Sequence, residues 1–268
     1  MAPSAIVFAG LFIAPFGYFF LVSFWRFRSY KLVHEFTLDN YREVIASYLH
    51  LLGFTLLIAM TITSVTLVLG FLYAYLIRFR AGRWGPMFLF LALLTLFGGY
   101  LMKVYAWRTI LGREGIINNA LVGSGLIATP IGWLLYNPPA VVLTLTHFLF
   151  PFAMLPIFAS MRGITDSEIE AARDLGASRI RVLVDHIIPR CRAGIVTGFV
   201  LTFLLSCGDW VTAVLVGGRV TLIGNLIAAQ FGEFLNWPLG AAMSFTVLLA
   251  AAAVIGLFAS LMRLVQPT

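Results

Sequence analysis

Charge is scarce in this chain. Only 11% of its 268 residues are Asp, Glu, Lys or Arg, against about 25% in an ordinary soluble domain, and 61% are apolar. So little polar material cannot cover the surface of a water-soluble fold of this size, which excludes that class and points to a bilayer. Cysteine is nearly absent too. Cys191 and Cys207 stand in or beside one apolar segment with no Cys/His cluster around them, so they read as buried small apolar side chains rather than metal ligands. The sequence also lacks a G-x-x-x-x-G-K-[ST] phosphate loop, so nothing in it hydrolyses ATP, and it lacks the H-E-x-x-H and G-x-S-x-G patterns that an intramembrane enzyme would need. The net charge of +7 is scattered through short loops. It forms no basic face with interleaved aromatics, which argues against nucleic acid, and reads instead as topology information and attraction to anionic lipid.

What is present is a series of long apolar runs. A membrane helix takes about 20 such residues, so this length holds some five to seven spans and no additional catalytic domain. Six segments qualify, at about 3–25, 52–77, 86–107, 139–161, 194–216 and 239–262. The first has no basic leader before Ala5, so it reads as a retained span and not a signal peptide. Arg78, Arg80 and Arg83 crowd the second inter-span loop without an acid, which puts that loop in the cytoplasm. An even number of spans then puts both termini inside as well. Residues 26–51 and 108–138 read as outer loops with short interfacial helices, Thr37 or Asp39 capping the first of them. One membrane domain, 1–268, accounts for the chain.

The segment from Arg162 to Arg192 is different: polar, and dense in charge. Thr165 and Glu168 have capping-box spacing, and Ile164 and Ile169 stand at the staple positions around them. Ala171 and Ala172 give the resulting helix a small-residue surface, Gly176 can take a positive φ and stop it, and Ser178 can cap a second short helix ending at Pro189. Two readings fit this pattern: a solvated connection between the fourth and fifth spans, or a rigid knob for the groove of a soluble partner.

Glu170-Ala171-Ala172, then Gly176, then Ile188-Pro189 resembles the E-A-A-x3-G-x9-I-x-L-P loop of ABC importer permeases. His186 and Ile188 depart from that pattern. Further segments resemble the spermidine/putrescine permeases, the first of their two permease chains above all: Tyr105 to Arg108 with Ile110 to Asn118, Gly208 to Thr212 with Gly217-Gly218 and Ile223 to Ile227, and Asn236 to Ala242. The resemblance implies an all-α membrane protein of about six transmembrane helices, with the type I ABC importer permease fold and a cytoplasmic two-helix coupling loop at 162–192. It implies a bacterial inner-membrane location with both termini cytoplasmic, and a second permease chain, in a heterodimer, forming the pathway. Two ATP-binding subunits would hold ATP and Mg, with no cofactor in this chain, and an extracytoplasmic solute-binding protein would deliver solute. In the loop, Glu168, Glu170, Ala171, Ala172, Arg173, Gly176 and Pro189 would be the ATPase-coupling residues, Glu170 and Arg173 as its charged contacts. The solute implied is a polyamine or a related small organic solute.

Asp209 is the lone charge between Arg192 and Arg219. At about 1.5 Å per residue it lies about 22 Å along a core about 30 Å thick, where a carboxylate needs a wet cavity or a partner. With Trp210, Tyr105 and Trp107 it forms a candidate substrate pathway suited to an ammonium group. The alternative is an internal ion pair with Lys103 or Arg108. His147 reads as a hydrogen-bonded packing residue, and Arg219 and Glu233 as solvated charges or as contacts for the solute-binding protein. A stand-alone secondary transporter or channel is the competing function, and it would have no use for the 162–192 loop.

Overall fold

The computed structural model describes residues 7–29 and 31–264. The start of the first expected span, residues 3–6, lies outside them, as do both termini. The described residues are mostly helical, and their contacts group into two compact units, one from the residues up to 56 with 221–252 and one from 57–220 with those from 253 on.

The first unit opens with a π-helical turn, Ala9–Ile13, that runs into α1, Ala14–Val22. A two-stranded antiparallel hairpin follows, β1 Arg26–Arg28 and β2 Lys31–Val33. α2 spans Asp39–Phe79, of which residues 39–56 belong to this unit. Asn40 pins its start, donating to the carbonyls of Ser23 at 2.8 Å and Trp25 at 2.9 Å. A helix donor-acceptor pair is thus replaced by a buried side chain that closes the end of α1. Val44 packs with Leu239, Ala242 and Met243, the latter three on the helix Trp237–Leu264. Between them the helix Ile223–Gly232 is fixed by its first amide, Ile223 N–H, which donates to Thr55 Oγ1 at 2.9 Å.

The second unit continues α2 and adds α3 (Gly85–Phe97), α4 (Tyr100–Leu111), α5 (Ile116–Gly123) and α6 (Pro138–Met161). A polar pair follows, α7 (Asp166–Asp174) and α8 (Arg179–Arg190). Then come α9 (Arg192–Cys207) and α10 (Val211–Val216). In chain order Ile223–Gly232 is α11 and Trp237–Leu264 is α12. The tightest packing is α6 against α9. A Cβ at Gly194 would overlap the backbone carbonyl of Pro156, and one at Gly198 would lie 3.2 Å from Ala153, so these glycines let the two backbones approach as small residues do between membrane helices.

Three helices, α2, α6 and α12, are long and apolar enough to cross a membrane, and the number rises to at most five if residues 82–97 with 100–123, and 179–190 with 192–207, each count as one bent span. Gly10–Val22 is a shorter apolar helix. The fourth and sixth expected spans match α6 and α12 closely. Elsewhere the sequence expectation is corrected. Among the described residues no separate surface helix stands between residue 26 and the second span, because the helix beginning at Asp39 runs on through it for 41 residues. The small hairpin was not foreseen in a loop expected to be helical or irregular. The expected spans 86–107 and 194–216 are both interrupted, at Gly98–Gly99 and at Gly208–Trp210. Two adjacent glycines pay the backbone entropy of a helix without a side chain to recover it, and Gly98 and Gly99 are accordingly extended, with ψ of 124° and 145°.

Candidate functional site

The two interruptions meet. Tyr100, the first residue of α4, donates its hydroxyl to Asp209, in the gap between α9 and α10. Asp209 also accepts from the Thr212 amide and from the Thr212 hydroxyl, each at 3.2 Å. The Tyr100 and Thr212 hydroxyls are 2.8 Å apart. The carboxylate therefore satisfies a free amide in the first turn of α10, as side-chain caps do. It is 9% exposed and lines a cleft of about 340 Å³ with Tyr100, Phe148, Gly208 and Trp210.

Among the described residues Asp209 has no cation within ion-pair distance. Lys103, offered as its counterion, turns instead to the carbonyl of Thr95, and Arg108 reaches the Tyr136 hydroxyl at 3.4 Å. The alternative internal pair is not formed among the described residues, where hydroxyls and a helix amide hold the carboxylate. Of the four candidate pathway residues, Asp209 and Trp210 line the cleft. Tyr105 and Trp107 lie further along α4, with Tyr105 exposed and Trp107 donating its indole N–H to His147 Nδ1 at 3.2 Å. His147 is thus hydrogen-bonded, as expected. Tyr100 is the residue that sequence reasoning missed, and its signal was the Gly98-Gly99 pair before it.

The second site is the polar pair α7–α8. Thr165 accepts from the Glu168 amide at 3.4 Å, but the Glu168 side chain does not complete the capping box. Glu168 reaches across to α8 instead. Arg190 Nη2 donates to its Oε1 at 2.7 Å, and His186 Nε2 lies 3.3 Å from its Oε2. These partners, the Arg190 bond first, hold the Glu168 carboxyl below the usual carboxylate range. His186, one of the two departures from the loop pattern, is therefore part of the tie between the two helices. Gly176 has φ of +86° and makes the turn between them, and the Ser178 hydroxyl accepts from the Arg181 amide at 3.3 Å, as expected. Ile164 and Ile169 are both buried in the core below the loop. From α2, Arg78 donates to the Ile164 carbonyl at 2.6 Å and pairs with Asp166 at 3.0 Å.

The outer surface of this pair carries the other candidates. Glu170, Ala171 and Arg173 are exposed, Ala172 is half-buried, and Pro189 is buried. Glu170 and Arg173, with Asp166 and Arg179, line a cleft of about 250 Å³, and neither forms an ion pair among the described residues. Leu175 and Ile180 flank the turn at 90% and 74% exposure. Sequence reasoning passed over them, although two large apolar residues beside a glycine in an otherwise polar loop were a legible signal.

A helical chain of apolar spans, two of them interrupted where a buried carboxylate meets Tyr100, and joined to a polar, partly apolar-tipped helix pair, has the build of an integral membrane protein with a pathway and a docking knob. More specifically, the chain belongs to the binding-protein-dependent transport system inner membrane component family, whose model matches residues 79–268. It is 35% identical over 214 residues to the spermidine/putrescine transport system permease protein PotB of Escherichia coli (strain K12), covering 79% of this chain and 78% of that protein. To PotB of Haemophilus influenzae it is 32% identical over 218 residues, covering 80% and 76%. Its fold is that of a chain in the crystal structure of a bacterial alginate ABC transporter in complex with alginate pentasaccharide-bound periplasmic protein, with a TM-score of 0.70, 15% identity, and 100% and 93% of the two chains covered. The chain is thus an ABC importer permease of the inner membrane, a transport subunit and not an enzyme.

Proposed function

We propose that this permease carries a cationic amine of the spermidine/putrescine class, with Asp209 as the ammonium-binding residue of the pathway. The observation that carries the reading is a buried carboxylate at the meeting of two helix breaks that lines a cleft and, among the described residues, has no cation within ion-pair distance. Tyr100 and Thr212 hold its position, Trp210 and Phe148 offer ring faces beside it, and Tyr105 and Trp107 continue the wall along α4. A solute ammonium would supply the missing charge, as ion pair and cation–π partner.

The whole chain acts as one permease domain, paired with a second, different permease chain. Two ATP-binding subunits, which bring the ATP and Mg, dock on the α7–α8 pair from the cytoplasm, the side on which both termini lie. A solute-binding protein delivers from the opposite face. Leu175 and Ile180 enter the ATPase groove, Glu170 and Arg173 set the electrostatic register, and Ala171, Ala172 and Gly176 allow close approach. Glu168, Arg190 and Pro189 keep the pair rigid, so that closure of the ATPase dimer tilts the spans rather than bending the loop.

Co-purification with the ATP-binding subunits tests the docking surface. Glu170→Arg and Leu175→Asp are expected to reduce recovery of the ATPase without loss of folded permease. Undiminished recovery with both substitutions would reject this surface.

A further inference from the structure

Lys103 is buried with a charge to satisfy. It is 9% exposed, and among the described residues no carboxylate lies within ion-pair distance. Its ammonium donates to the carbonyl of Thr95, in the last turn of α3, and sits 5.2 Å from the centroid of the Phe148 ring. The break at Gly98–Gly99 makes both contacts possible. It leaves the last carbonyls of α3 without helical donors, and a Cβ at Gly98 would lie 3.1 Å from Lys103 Cε, so the glycine gives the lysine stem its room.

These contacts describe what a bound alkylammonium needs: a four-carbon apolar stem, a carbonyl at the negative end of a helix, and an aromatic face. The same Phe148 ring lines the Asp209 cleft and lies 4.9 Å from the ring of Tyr100. We propose that the Thr95 carbonyl and Phe148 form a second ammonium subsite of the pathway, and that Lys103 fills it with its own side chain as a tethered stand-in for the solute. One amine of a diamine binds at Asp209, and the other displaces Lys103. With no solute present, Lys103 keeps the helix break closed and its carbonyls satisfied. This rests on the cationic-amine reading above. An ammonium has three donors and prefers a carboxylate or several carbonyls, and one carbonyl with one ring is a hold that a solute with better geometry can replace.

The test is equilibrium binding of radiolabelled 1,4-diaminobutane to the purified permease–ATPase complex without the solute-binding protein. Lys103→Met removes the tethered competitor, and the diamine is then expected to bind at least about fivefold tighter than to the unaltered complex. Adding Phe148→Leu to that variant is expected to reverse the gain. Where Lys103→Met fails to assemble, Lys103→Gln keeps a donor for the Thr95 carbonyl and carries the same expected direction. Equal or weaker binding in the folded variant overturns the proposal and makes Lys103 a helix cap. Absence of diamine binding to every form, with uptake of another solute intact, overturns the cationic-amine reading together with this proposal.

Discussion

Arg190 donates to Glu168 across 2.7 Å, tying the end of α8 to the first turn of α7. The two residues stand at opposite ends of the loop that follows the fourth span, and His186 braces the same carboxylate from the side at 3.3 Å. The loop is thereby a closed frame. If the ATP-binding subunits dock at the exposed turn around Gly176, this frame is what would pass their movement to α9, which begins at Arg192.

Glu168→Gln is expected to open that frame. Amide hydrogen exchange across residues 166–190 should rise several-fold, and ATPase stimulation by solute should fall while the spans remain folded. The wild-type frame has a pH dependence of fixed sign. Because Arg190 and His186 hold the Glu168 carboxyl below its usual range, its contribution is complete above the unfolded carboxyl value of about 4.3 and is lost as pH falls through the lowered folded value. Exchange measured from pH 7 down to pH 3 should show protection of the loop retained to below about pH 4.3 in the wild type, and an already unprotected loop in Glu168→Gln.

Gly176→Ala isolates a backbone effect. A Cβ there meets nothing within 4 Å, but φ is +86°, and the left-handed conformation costs an L-residue about 1–2 kcal/mol. The turn is expected to loosen by that amount, with Gly176→Asn less affected than Gly176→Ala. Exchange of the amides of residues 175–178 is the measurement.

Gly194→Ala isolates packing. Its new methyl would collide with the Pro156 carbonyl on α6, an overpacking cost of about 1–3 kcal/mol. At Gly53, in α2, the same change meets nothing within 4 Å and should be neutral or stabilising by about 0.5–1 kcal/mol through helix propensity. Thermal unfolding of the two purified variants in detergent should therefore move in opposite directions or, at the least, only the first should fall.

The polar loop was the most legible part of the sequence, because caps, staple residues and a turn glycine are local signals. Thr165, Ser178 and Gly176 each do what their position implies. Glu168 did not: a nearby capping role was read where a partner 22 residues away competes for the carboxylate, and the Arg190 bond prevails. The spans were found by hydropathy, which cannot register an interruption that leaves hydropathy unchanged. Gly98-Gly99 and Gly208 lie in apolar runs, so the breaks passed unseen. With them passed Tyr100, whose position opposite Asp209 depends on which residue begins the half-helix. Asp209 itself stood out because charge is so scarce; its contact with Thr212 has the three-residue spacing of a helix cap, whereas Tyr100 comes from a chain segment that no spacing rule connects to it.

Whether Asp209 binds the solute ammonium is decided by uptake into proteoliposomes carrying the full transporter. Labelled spermidine or 1,4-diaminobutane is supplied with saturating solute-binding protein and ATP inside, and Asp209→Asn is compared with wild type and with Tyr100→Phe. Asn keeps acceptor and donor atoms for Thr212 and Tyr100, so the fold is retained and only the charge is lost. The expected result is a loss of uptake of about tenfold or more in Asp209→Asn, the scale of one desolvated charge-assisted contact of about 1.5–3 kcal/mol, with a smaller loss in Tyr100→Phe and ATPase docking intact. Unchanged amine uptake in Asp209→Asn would contradict the account.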